Sequence, residues 1–185
     1  MAYHGLVIGA KVAAKNIESL NRSAVTAADA VDNGWVVALT GITATSSDLW
    51  TAAKPATGTL ANLWMVHEPE VSQITDTYIT VRNINVDPRL AYTAGTKVFS
   101  VFHLEVADEI WLTDACLANT QGSNTFVNAT DTTGGYNMYW GATQTASVTS
   151  FRLLGDHYYS LPVSAITNTI GTNRVTIHRF EVLYN

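Results

Sequence analysis

The sequence predicts an all-β fold, an antiparallel β-barrel or β-sandwich with an N-terminal arm or short helix. Two observations carry this expectation. Thr and Val are frequent, five Trp and eight Tyr stand among them, and branched and aromatic side chains suit a pleated, half-buried surface. Short apolar runs also recur between turn residues at the spacing of sandwiches and barrels.

The runs, in order, are Leu6 to Val12, Trp35 to Ile42, Leu63 to His67, Tyr78 to Ile84, Lys97 to Leu104, Glu109 to Thr113, Asn137 to Trp140, Val148 to Leu154 and Arg174 to Leu183. Between them lie Asn33-Gly34, Thr57-Gly58, Asp87-Pro88, Ala94-Gly95, Gly134-Gly135, Gly155-Asp156 and Gly171-Thr172, pairs that favour reversal of the chain. Leu104 to Glu109 reads as the link of a hairpin joining Val98–Leu104 to Ile110–Thr113. Asn119 to Thr133 reads as a polar surface loop with a small strand around Phe126 and Val127.

The last run carries a conflict. Val175 and Ile177 share one face at period two, and Phe180 and Val182 share the other. A one-residue bulge near His178-Arg179 would bring all four inside. A strand buried on both faces is the alternative, and Arg174, Arg179 and Glu181 make it the costlier one.

Residues 1–33 differ in composition from residues 34–185. Ala10 to Val31 is Ala-rich and polar and has no aromatic residue. This divides the chain into an N-terminal segment, residues 1–33, and a β domain, residues 34–185. The segment fits an arm that orders on a neighbouring subunit, or equally a strand and loop of the same barrel.

Charge narrows the function. Only 14% of residues are charged and the net charge is −5, against roughly a quarter charged in typical soluble domains. Sparse charge weakens self-repulsion, so the surface is expected to meet neighbours. The 10 Lys and Arg are spread along the chain, which argues against direct nucleic-acid binding. No basic stretch followed by an apolar run marks a secretory signal, and no apolar run reaches the roughly 20 residues of a membrane span. Asn21-Arg22-Ser23 and Asn128-Ala129-Thr130 are therefore read as chance matches to the glycosylation pattern.

No reaction centre is legible. Cys116 is the single cysteine, so neither an internal disulfide nor a Cys-based zinc site can form; it reads as a small buried hydrophobe. Ser100 and His103 would point to opposite faces of a strand. His67-Glu68-Pro69-Glu70 is the densest polar cluster and reads as a solvated strand end, and Glu105, Asp108 and Glu109 as a solvated link. No Gly-x-Ser-x-Gly elbow or phosphate-binding glycine loop occurs. The expectation is no enzyme, no cofactor and no metal. The aromatic run Gly134 to Gly141 supplies Tyr136, Tyr139 and Trp140 as interface or glycan-stacking candidates. Alternation instead makes Tyr136, Met138 and Trp140 one core face and Tyr139 the other. Tyr92, in a turn before a strand, is a further interface candidate.

Two segments carry a resemblance. Lys54 to Val66, and Arg89 to Phe102 with the following Leu104-x-x-x-Asp108-Glu109-Ile110, resemble small virion proteins of tailed bacteriophages, of the capsid decoration (cement) or head-associated type. The resemblance spans roughly residues 33 to 115. It implies a non-enzymatic structural protein on the capsid exterior, assembled in the host cytoplasm, that binds the major capsid protein and self-associates, with a trimer as one form. It carries no catalytic residue to transfer. A tail, baseplate or receptor-binding component and a carbohydrate-binding β module are the rival expectations.

Overall fold

The computed structural model describes residues 5–67, 73–75, 80–82, 95–130, 136–160 and 174–185. In chain order the strands are β1 (Val7–Lys11), β2 (Asn21–Val25), β3 (Val36–Ile42), β4 (Leu49–Ala53), β5 (Trp64–Val66), β6 (Gln73–Thr75), β7 (Thr80–Arg82), β8 (Val98–His103), β9 (Glu109–Thr113), β10 (Leu117–Ala118), β11 (Phe126–Asn128), β12 (Met138–Gly141), β13 (Ser150–Ser160) and β14 (Arg174–Tyr184). Single 3₁₀ turns occupy Ala13–Lys15, Glu18–Leu20 and Asp114–Cys116, and no α-helix occurs among the described residues. The fold is all-β, as expected.

Two sheets dominate. Strands β2-β4-β3-β5-β8 close into a barrel, and β1-β9-β14-β13-β11-β12-β10 form a seven-stranded sheet. Most neighbours are antiparallel; β2–β4 and β10–β12 are parallel. Alternation along the strands sorts side chains into three apolar clusters. Ala24, Val37, Ala52, Val66, Phe99 and Val101 fill the barrel. Their sequence neighbours Val36, Ala38, Met65 and Phe102 point outward and meet Ile110, Leu112, Val127, Met138, Phe151, Phe180 and Val182 from one face of the large sheet. The main core therefore lies between barrel wall and sheet. The far face of the sheet buries Leu6 and Ile177 with Ile8, Trp111 and Val175. Each such side chain, fully buried, contributes on the order of 2 kcal/mol.

Three expectations are revised. Val98–His103 and Glu109–Thr113 do not pair with each other. β8 belongs to the barrel and β9 to the large sheet, so the intervening link crosses between sheets. Asp108 holds that crossing: its carboxylate accepts from Ala13 N at 3.0 Å and Glu105 N at 2.9 Å, and Ala107 takes φ 75°. Asp108 is buried, not part of a solvated turn.

The expected bulge near His178-Arg179 is also absent. β14 pairs with β9 in unbroken register from Ile177↔Thr113 to Glu181↔Glu109. Opposite that stretch the irregularity lies on the partner, between Leu153 and Gly155 of β13, and β14 carries its own extra residue only further on, at Leu183, where Ser150 pairs Tyr184 and Phe151 pairs Val182. β14 is instead covered on both faces, with Phe180 and Val182 in the main core and Ile177 and Val175 in the far cluster. Its polar side chains are compatible with this because they are paired. Arg179 donates to Glu109 through Nε at 3.1 Å and a terminal nitrogen at 2.5 Å, and Glu181 pairs with Arg152.

Third, residues 1–33 are not a free arm in their described part. β1 pairs β9 at the edge of the large sheet, and β2 lies between β4 and β8 in the barrel. The alternative, a strand and loop of the same barrel, does not describe it either, since β1 joins the large sheet and Asn21–Val25 is itself a barrel strand. Asp32 secures the entry: Gly5 N and Asn33 N donate to its carboxylate at 3.0 and 2.8 Å.

Candidate functional site

Among the proposed interface residues, Tyr136 and Trp140 are 4% exposed and cannot offer their rings to a partner. Tyr136, Met138 and Trp140 are all buried, but only Met138 and Trp140, on β12, share the main core, while Tyr136 packs with the barrel cluster. Tyr136 stacks on Trp35 with centroids 5.5 Å apart and donates its hydroxyl to Asp29 at 3.0 Å. Burial, and then the neighbouring Asp29 carboxylate, push its pKa up. Tyr139 is half-buried and lines a recess of about 380 Å³ with Leu60, Asn128, Thr143, Thr145 and Val148. Tyr92 and Glu68 to Glu70 lie outside the described residues.

The reaction-centre candidates separate. Cys116 is completely buried beside Gly5 and Gly34, and burial pushes its thiol up to about 12; such a thiol stays protonated and unreactive. Ser100 is exposed and His103 half-buried; His103 Nδ1 meets Glu105 at 3.1 Å. No group of three or more metal-ligating side chains is present among the described residues.

Two arrangements that sequence reading missed stand out. One is at the mouth of the barrel. β2, β4 and β5 begin there and β3 and β8 end there, as the pairings Ile42↔Trp50, Arg22↔Val101 and Trp64↔His103 show. Between Leu39 and Gly41 the register shifts by one residue, so Thr40 is the extra residue and Ile42 keeps the inward side that Val37 and Leu39 share. The inward positions at the mouth are thus Arg22, Ile42, Trp50, Trp64 and His103. The Arg22 guanidinium lies 4.1 Å from the Trp50 ring centroid and 4.8 Å from that of Trp64, a cation held between two π faces. Trp64 meets His103 edge-on at 5.1 Å. A groove of about 660 Å³ opens beside it, lined by Arg22, Trp50 and Ile42 and by Glu18, Asn21, Ser47 and Asp48 among others. No regular spacing links Arg22, Trp50 and Trp64, so only the closed barrel brings them together.

The other arrangement is a clamp on His178. This buried ring places Nδ1 2.7 Å from Asp156 and Nε2 2.8 Å from Asp114. Ionised carboxylates only accept, so two carboxylates facing the two ring nitrogens favour the doubly protonated imidazolium form of His178. Burial alone would lower its pKa; the hydrogen bonds to Asp114 and then Asp156 outweigh burial and raise it. In turn the His178 hydrogen bond holds the Asp114 carboxyl below its ordinary range, against the effect of burial. Trp140 stands perpendicular to the ring at 5.1 Å. The clamp ties the Asp114–Cys116 turn, β13 and β14 together.

Compared with known proteins, the chain matches no family model, no curated protein and no solved structure.

Proposed function

We propose that this chain is a non-enzymatic virion structural protein that decorates and stabilises a tailed-phage capsid by binding major capsid protein subunits. The observation that carries the reading is how sparse the charge is and how many of the charged side chains among the described residues are paired with one another. In a chain already sparse in charge, Glu109 is shared by Lys11 and Arg179, Arg152 pairs with Glu181, Lys54 with Asp29, and His178 with two aspartates. Asp32 and Asp108 bond backbone N–H groups. Val98, Val106, Leu154 and Tyr158 are exposed, which suits a surface to be covered by neighbours. The resemblance of residues 33 to 115 to head-associated proteins supplies the partner. Capture on a symmetric shell would stabilise the bound state by mass action.

Quantitative mass spectrometry of purified virions tests this. A decoration protein is present on the order of hundreds of copies, following capsid symmetry. A handful of copies would move it to the tail, and absence from the particle would overturn the proposal. Light scattering on the eluting protein reports separately on self-association.

A further inference from the structure

Among the described residues, the cation at the barrel mouth has side-chain hydrogen-bond donors without a partner. The Arg22 side chain makes no hydrogen bond or ion pair among the described residues, and its guanidinium lies over two indole rings. A guanidinium has five N–H donors in a rigid plane. Here the guanidinium is fixed by its stacking on the two indoles, and Arg22 and Trp50 both line the 660 Å³ groove, with Ser23, His67, Ser100 and Phe102 along its other wall. A preorganised fork of this kind matches a carboxylate through two parallel bonds.

The rest of the lining narrows the class of anion. Glu18 and Asp48 face the same groove and form no ion pair among the described residues. They repel a polyanion such as a phosphate chain or nucleic acid, and they accept hydrogen bonds from hydroxyl groups. Ser47 adds a hydroxyl, while the amide N–H groups of Asn21, which also lines the groove, are already given to Ala14 O and Ile17 O. Trp50 and the 54% exposed Ile42 offer apolar surface for the C–H face of a sugar ring. One positive fork, two hydroxyl acceptors and an indole describe a ring with one carboxylate and several hydroxyls. We propose that the barrel mouth is a binding site for acidic saccharides, in which Arg22, fixed between Trp50 and Trp64, takes the sugar carboxylate and Asp48 and Glu18 accept from its hydroxyls. The site is independent of capsid attachment, so its failure would leave that proposal standing.

Isothermal titration calorimetry on the intact protein tests it, with sialyllactose, glucuronate, the methyl ester of glucuronate, lactose and inorganic phosphate as probes. Sialyllactose or glucuronate is expected to bind with a dissociation constant on the order of 1 mM, as suits one shallow site. The ester and lactose should bind at least about tenfold more weakly for want of the charged bidentate pair. Arg22→Lys, which keeps the charge and loses the fork, should weaken acidic-sugar binding by about tenfold. Equal affinity for glucuronate and its ester would overturn the proposal. So would phosphate binding as tightly as the sugars, or no saturable heat with either acidic sugar. The ester comparison uses the unaltered protein, so its outcome does not depend on whether the variant folds.

Discussion

His178→Gln is expected to lower stability by an amount that depends on pH in a defined direction. The substitution removes bonds of 2.7 and 2.8 Å to Asp156 and Asp114. A buried charge-assisted bond contributes about 1.5–3 kcal/mol, but both carboxylates are well exposed, 45% and 70%, and solvent screening reduces each bond to about 1 kcal/mol. Lost packing against Trp140 and Phe180 adds about 1 kcal/mol. The total of about 3 kcal/mol corresponds to a Tm lower by about 6–12 °C in a chain of this size. Because the folded pKa of His178 is raised, its contribution is complete below the unfolded value near 6.5 and fades as pH rises through the folded value. Asp114 is depressed, so its contribution is present above an unfolded value near 4 and is lost as pH falls through the folded one. The gap between wild type and variant should be widest between those limits and shrink in alkali. Urea unfolding of both proteins, followed by Trp fluorescence from about pH 5 to about pH 10, measures it. A gap that is constant across the range, or widens with pH, would refute the imidazolium assignment.

Other perturbations have equally definite outcomes. Gly34→Ala should cost at least about 2 kcal/mol in urea unfolding, because φ is +76° and the new Cβ would lie 2.6 Å from Cys116 Sγ; Gly41→Ala, with open space around it, should change stability by less than about 1 kcal/mol. Asn185→Ala should cost about 2–3 kcal/mol by the same assay, since that side chain bonds Leu63 N and O, Leu104 O and Thr149 Oγ1 and so joins barrel to sheet. Cys116 should resist iodoacetamide in the native protein and react once urea unfolds it, as mass spectrometry would show. Trp140→Ala should destabilise by about 3–5 kcal/mol, seen as a lower Tm, because its ring is core.

Strand identity was legible wherever a run alternates or is continuously apolar. Val36–Ile42, Val98–His103 and Glu109–Thr113 emerge within a residue or two of the expected runs. The strands that escaped notice are short or polar. Asn21–Val25 and Leu49–Ala53 have only two or three inward positions each, and Arg22 and Trp50 occupy two of those. Partner choice was not legible at all. The β8 and β9 runs look like a hairpin because a short polar link joins them, yet Asp108 commits its carboxylate to backbone N–H groups and sends the chain to another sheet. In β14, Arg179 and Glu181 argued against burial on both faces only while their partners, Glu109 and Arg152, were unknown. Local pattern reports which faces are apolar; it does not report what lies opposite. The barrel mouth was hidden for the same reason, since Arg22, Trp50 and Trp64 meet only after the barrel closes.

The placement of β1 and β2 has a kinetic consequence. Val7 pairs with Leu112 and Asn21 with Phe102, and β9 is flanked on its other side by β14. During synthesis the earliest strands must wait for distant partners, their backbone edges open to competitors. Pairing over such separations is slow and exposes the chain to aggregation. Yield in a cell should therefore be governed by how long those edges stay protected on and just after the ribosome, and a holding chaperone should raise it more than any surface substitution.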